Sequence, residues 1–291
     1  MSARNVTSDR IRRARAVEAV AKFITGAAAL GVVAVVAFIL IYILARGAGS
    51  ISWEFLTEMP RKFMTEGGIW PAIYGTFLLT FWCATFALPV GVMAGIYLAE
   101  YAPRGRVTRI VRLSIANMAG VPSIVYGLFG LALFVLTMHL GVSVISGALT
   151  LACLTLPVVI TSTEEALRQV PQDLRQASLA LGATRLRTIV RVVLPAAAPG
   201  IVTGSILGLS RAAGETAPIL VTAVAFYGPV PTSLMQPTMA LPYHLYIMAT
   251  QAPKPAPDVV WGTALVLVAG VSIVNVVAAA WRSRQRSKIR W

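Results

Sequence analysis

Six stretches of this 291-residue chain are apolar over 20 residues or more, and that pattern constrains the fold more than anything else in it. A helix of roughly 20 residues crosses the hydrocarbon core of a bilayer. Lipid offers no partner to backbone N–H and C=O groups, so each such run must satisfy its own hydrogen bonds as a helix. The expected spans are Lys22–Ala45, Trp70–Leu98, Leu113–Met138 (interrupted by Asn117 and Pro122), Ser143–Ser162, Ala197–Ala225 and Val259–Trp281. Of the 25 Lys and Arg residues, 20 fall in the N-terminus, the second and fourth connections and the C-terminal tail. The other three connections hold four, and Arg211 lies within a span. Positive charge marks the cytoplasmic side. The expectation is an all-α, polytopic membrane protein with both termini cytoplasmic. Residues 1–21 form a basic N-terminus, 22–281 the transmembrane domain with a cytoplasmic loop at 163–195, and 282–291 a basic tail.

Composition agrees: 57% of residues are hydrophobic and 12% charged, and the mean hydropathy is +0.76. A net charge of +14 would suit a nucleic-acid binder, but the charges sit at the ends of apolar runs, where membrane orientation requires them. Nucleic acid is therefore not an expected partner; the lipid bilayer is. Cys83 and Cys153 lie inside apolar runs, and His139 and His244 are far apart, so neither a disulfide nor a metal site is expected. The four lysines follow Ala21, Arg61, Pro253 and Ser287, none of them the Gly that a phosphate-cradling P-loop places before its Lys. The chain is not expected to hydrolyse ATP or to bind a cofactor, and two histidines with few acids make no credible hydrolytic triad. The first span follows more than twenty basic, polar residues, which suits a retained signal-anchor.

The fifth span carries Ser210-Arg211-Ala212-Ala213-Gly214-Glu215-Thr216 near its middle. A charge at the centre of a membrane helix costs about 2.5–3.5 kcal/mol on insertion scales. Continued at 100° per residue, Gly200, Gly204, Gly208, Arg211, Glu215, Pro218 and Thr222 form one stripe, with Val202, Ile206, Leu209, Ala213, Leu220 and Val224 opposite. Small residues allow close backbone approach and the Pro allows a kink. Arg211 and Glu215, four residues apart, either neutralise one another between helices or face a polar pathway. On the second reading Arg211, Gly214, Glu215 and Thr216 are the candidate pathway or gate residues. Gly91-x-x-x-Gly95 and Gly200-x-x-x-Gly204 are read as helix-packing signals.

The 163–195 loop is expected to fold into short helices. Thr163-Glu164-Glu165 offers a cap and acids for a helix start. Pro171 opens a helix over Gln172–Leu181, Gly182 ends it, and a further helix over Thr184–Val193 is closed by Pro195. Arg185, Arg187 and Arg191 beside Ile189, Val190 and Val193 suit docking to another protein, or an interfacial helix held by anionic lipid.

Gln176-Ala177-Ser178, then Gly182, then Val192-Val193-Leu194-Pro195 resembles the EAA loop of ABC-importer permeases. Every spacing matches; Gln176, Ser178 and Val192 stand where that pattern has Glu, Ala and Ile. The resemblance implies a MetI-like permease fold and a coupling helix that seats on an ATPase subunit, with Gln176, Ala177, Ser178, Gly182, Val192, Leu194 and Pro195 as the coupling residues. Asn117 to Gly127, Ser210 to Pro218, and Leu241 to Tyr246 are further similar to the PstA-type permeases of bacterial phosphate importers. That implies a PstC-like second permease, two PstB-like ATPase subunits, a PstS-like extracytoplasmic phosphate-binding protein, phosphate as the cargo, and ATP spent by the partners. A permease for sulfate, molybdate or phosphonate, and a channel or secondary transporter without ATPases, are the alternatives at this stage.

Overall fold

The helix Val144–Arg168 (α6) is the most buried of the long apolar helices, with 61% of its apolar window inside the protein. Ser143 caps its start, the hydroxyl accepting from Ser146 N. The next orphan donors are met by a distant segment: Ser143 N, Val144 N and Ile145 N donate to the carbonyls of Thr222, Gln236 and Leu234 at 3.0–3.1 Å. The computed structural model describes residues 3–61, 64, 66–251 and 257–286. Lys62, Lys254 and the tail from 287, with Lys288 and Arg290, lie outside the described residues.

Around α6 the chain order is helical almost throughout. It runs α1 Ala3–Gly47, α2 Trp53–Thr57, a two-residue hairpin (β1 Pro60–Arg61, β2 Glu66–Gly67), then α3 Trp70–Ile96. α4 Arg106–Ala119, α5 Ser123–Gly130 and α6 follow, then α7 Gln172–Ala180, α8 Arg185–Thr188 and α9 Leu194–Gly214. α10 Ala217–Leu220, α11 Leu241–Thr250 and α12 Pro257–Arg286 complete the order. π-helical turns extend α3 through Tyr97–Tyr101 and α5 through Leu131–Thr137, and join α8 to α9 through Ile189–Val193.

Five of these are long and apolar enough to cross a membrane, and the count is six if the bent pair of α4 and α5 is one span. The third span was expected over Leu113–Met138. Its helix instead starts at Arg106, inside the basic connection, and turns by 100° between α4 and α5. Pro122 explains the place of the bend, because it disfavours helix at Val121 and cannot donate to the turn before it. α1 is one continuous helix whose apolar window, from Val17, is 0% buried. It touches α12 near Gly47, where the Tyr42 and Trp261 rings meet edge to face at 5.2 Å.

Two glycine pairs set the packing on α6. A Cβ on Gly91 would fall 2.7 Å from Val159 Cγ1, and one on Gly95 would fall 2.6 Å from the Thr163 Cβ. Gly200 and Gly204 lie as tightly against Ala166 and Ser162. The small-x-x-x-small signals are therefore the seams of α3 and α9 on α6. Leu79, Cys83, Ala87, Leu151, Ala212 and Ala223 fill the middle of the core. Cys83 and Cys153 are free thiols, and Cys83 Sγ lies 3.6 Å from Thr155 Oγ1.

Candidate functional site

The glycine stripe of α9 holds only as far as Arg211. The span expected over Ala197–Ala225 runs instead from Arg185 to Gly214, 30 residues without a break. Glu215 is extended (φ −75°, ψ 131°) and α10 restarts at Ala217. Pro218 has no N–H to give to the carbonyl of Gly214, so the ladder cannot continue through it. The expected kink is thus a full break, and Pro218 and Thr222 leave the stripe. Beyond it the chain is irregular, with residues 222–224 and 238–240 buried and most of the loop between them exposed. Ala225 N donates to Thr238 O and Thr238 N to Ala223 O, both at 3.0 Å. Such backbone survives at membrane depth only where protein or a water-lined cavity meets its polar groups.

Arg211 and Glu215 face one another across the last turn, with Nε donating to Oε1 at 3.2 Å. The Arg211 side chain is 53% exposed and that of Glu215 16%. The other four N–H donors of Arg211 have no hydrogen-bond partner among the described residues. Gly208 meets Thr155 of α6, so Arg211 sits a turn further toward Val144, roughly 12 Å inside that end at 1.5 Å per residue. α5 closes in from the side, where a Cβ on Gly127 would come 3.0 Å from the Ala217 carbonyl, and Tyr126 lies within electrostatic range of Arg211. Gly214 borders open space, and Thr216 is half-buried at the break.

At the opposite end, α7 and α8 form the expected knob, with differences that matter. Thr163 does not start a helix; it is fully buried in the last third of α6, because Gly95 packs against it and nothing interrupts the ladder. Pro195 does not close a helix either. The π-helical turn over Ile189–Val193 widens the backbone just before it, and α9 runs on through Leu194. Ile189 and Val193, read from sequence as docking residues, are 3% and 0% exposed and pin the knob to the protein. Val190, the third apolar residue read as docking, is 53% exposed, and Leu179, Leu181 and Leu186 also face outward at 48%, 89% and 63% exposure. Gly182 has φ +79° with open space around its Cα. Conformation rather than room reserves that position for Gly. Gln176 and Ala177 are exposed, Ser178 Oγ meets Thr188 Oγ1 at 2.9 Å, and Val192 and Leu194 are half-buried.

Sequence reasoning missed what holds the knob in place. Arg175 donates to Glu100 Oε1 at 2.8 Å and to the Val170 and Leu167 carbonyls at 2.6 and 2.8 Å. Both side chains of that ion pair are nearly buried, at 13% and 10% exposure. Arg185 donates to the Glu100 carbonyl and stacks over the Tyr101 ring at 5.2 Å. One signal was legible: Glu100 is the only acid in the stretch from Trp70 to Arg112.

A bundle of apolar helices with a broken helix at depth and a knob projecting from one end defines a multi-pass membrane permease. The family model described as binding-protein-dependent transport system inner membrane component matches residues 91–291, and the chain belongs to that family. Among its relatives is a phosphate transport system permease protein PstA 1 of Mycobacterium tuberculosis, 41% identical over 77% of this chain and 73% of its own length. A probable ABC transporter permease YqgI of Bacillus subtilis is 37% identical over 85% and 90%. A probable PstA of Methanocaldococcus jannaschii is 35% identical over 84% and 86%. Within the family the chain groups with the PstA-type permeases. The fold matches an inward-facing MetNI methionine ABC transporter chain at a TM-score of 0.62 and 19% identity, covering 75% of this chain and 97% of the other. The chain is thus a membrane component of an ABC import system, a family whose members work with a partner permease, an ATPase and a binding protein.

Proposed function

We propose that this chain is one of two permease subunits of an ATP-driven importer for inorganic phosphate in a bacterial cytoplasmic membrane, with both termini cytoplasmic. The observation that carries it is the Arg211–Glu215 pair at the break in α9. Membrane transporters place substrate sites at discontinuous helices, and Arg211 keeps four donors in reserve there. A guanidinium fork suits an oxyanion. An ionised Glu215 can only accept hydrogen bonds, so it accepts from phosphate that still carries a proton and repels fully ionised sulfate. Gly214 and Thr216 flank the pair and border the pathway. The names of the PstA relatives support phosphate as the cargo. A PstC-like permease completes the pathway, a PstS-like protein delivers phosphate, and two PstB-like subunits hydrolyse ATP; this chain holds no cofactor of its own. Gln176, Ala177, Ser178 and Gly182 present the coupling knob to an ATPase, and Val192, Leu194 and Pro195 pass its motion directly into α9.

The test is uptake by the complete complex in proteoliposomes loaded with ATP. Labelled phosphate enters and excess sulfate, molybdate or phosphonate does not compete. Competition by sulfate equal to that by unlabelled phosphate overturns the phosphate assignment. Uptake without an ATPase subunit overturns the ATP-driven one.

A further inference from the structure

α4 is unlike every other helix here. It turns 100° away from α5, so where α5 crosses a bilayer α4 lies close to the membrane plane. At 100° per residue it has three flanks. One is seated: Thr108 is buried and its hydroxyl donates to the Pro103 carbonyl at 2.7 Å, while Arg112 donates to the Leu98 carbonyl at 2.8 Å. A second is apolar and bare, with Val107 75% and Ile110 62% exposed. The third carries Arg106 and Arg109.

That third flank faces an open basin of about 910 Å³ lined by Arg104, Arg106, Arg109, Arg112, Arg168 and the apolar Leu113 and Ala116. Five guanidinium groups share it. Arg112 and Arg168 both bond to a single carboxylate oxygen, Glu164 Oε1, at 2.8 and 2.7 Å. Arg104, Arg106 and Arg109 have no carboxylate partner among the described residues. The basin thus gathers five positive charges around one negative one, in a concave site at the foot of a membrane helix. We infer that it binds the phosphodiester headgroup of an anionic phospholipid, with the acyl chains lying along the bare apolar flank of α4. Free phosphate would satisfy the arginines but leave Val107, Ile110 and Leu113 uncovered. A lipid meets both, and basic pockets at the cytoplasmic side of membrane helices bind such headgroups.

The experiment measures lipid retained by the full-length chain from mixed micelles holding equal phosphatidylglycerol and phosphatidylcholine, read by mass spectrometry. Phosphatidylglycerol is retained selectively, less so at high salt, and a large excess of inorganic phosphate does not displace it. Each arginine near an anionic surface is worth roughly a five-fold change in binding. The combined Arg104→Gln, Arg106→Gln and Arg109→Gln variant therefore loses selectivity on the order of a hundred-fold. If the triple variant does not accumulate, Arg106→Gln and Arg109→Gln alone, each about five-fold weaker, decide the matter. Equal retention of the two lipids overturns the inference, as does displacement by inorganic phosphate, which would make the basin a free-anion site. Unchanged selectivity in the variants overturns it too. So does loss of ATPase co-purification with lipid retention intact, which would give the basin to a protein partner.

Discussion

Arg211 spends one of its five N–H donors on Glu215, and half its side chain is exposed. An ion pair with one partner so open adds under about 1 kcal/mol, too little to explain two charges in an apolar span as structural ties. The expected outcome follows from that magnitude. Arg211→Gln and Glu215→Gln should each leave the assembled complex at wild-type abundance and abolish phosphate uptake, and the double variant should stay inactive. A double variant that regains uptake would make the pair structural, since removing both partners relieves an unpaired charge. His244 presents the opposite case. It is 1% exposed, with Nδ1 3.4 Å from Thr263 Oγ1 and no partner for Nε2 among the described residues. Burial pushes its pKa down from the ordinary 6.5 to about 4. The folded protein therefore holds it neutral where the unfolded chain would bind a proton. Above pH 6.5 its titration costs nothing; as pH falls from 6.5 to 4, stability drops by up to about 3 kcal/mol. Thermal unfolding in detergent should show that acid loss in the wild type and a flatter profile in His244→Gln. Identical pH profiles would remove His244 as the cause.

At the scale of elements, the knob depends on one backbone angle. Pro fixes φ near −65°, whereas Gly182 sits at +79°. Gly182→Pro should disrupt the α7–α8 turn at a cost of about 1–3 kcal/mol, leave the protein in the membrane, and reduce both ATPase co-purification and uptake. Leu181→Glu tests the same surface without touching the backbone, because Leu181 is 89% exposed. If both variants keep wild-type co-purification, the ATPase docks elsewhere. The knob was legible because Gly, Pro and the EAA-type spacing are local signals. The helix boundaries around it were not. Thr163 looks like a cap, but Gly95 sits against it; Pro195 looks like a stop, but a π-helical turn absorbs it. Both outcomes depend on a neighbour distant in sequence or on an extra residue in one turn. The same blindness hid the core of the fold. The charged stretch of α9 drew attention from the sequence, yet the bundle is built on α6, whose role shows only once the glycines of α3 and α9 are seen to pack on it. The stripe projection failed past Arg211 because 100° per residue assumes an unbroken helix. The Glu100–Arg175 tie joins residues 75 positions apart, beyond any local pattern.

For the whole molecule, charge and contacts sort the loops independently and arrive at the same two groups. Ser143 N bonded to Thr222 O, and Leu241 N bonded to Thr76 Oγ1, gather the connections without net positive charge at the Trp70 end of α3. Glu100 with Arg175 and Arg185, and Arg112 with Glu164, gather the basic connections at the other. Gly47 against Trp261 puts the end of α1 at the Trp70 end of α3, so the basic N-terminus lies at the opposite one. Contacts alone cannot say which end is cytoplasmic; the excess of arginine can. Two exposed positions give the readout: Trp53, at 81%, in the group without net positive charge, and Leu181 in the basic group. In a chain carrying Cys83→Ala and Cys153→Ala, a membrane-impermeant thiol reagent should label Trp53→Cys in intact cells. It should reach Leu181→Cys only in inverted vesicles. The reverse pattern would invert the protein in the membrane and place the knob out of reach of any cytoplasmic ATPase. Labelling of both positions from one side would remove the odd number of crossings that separates them, and with it the six-span arrangement.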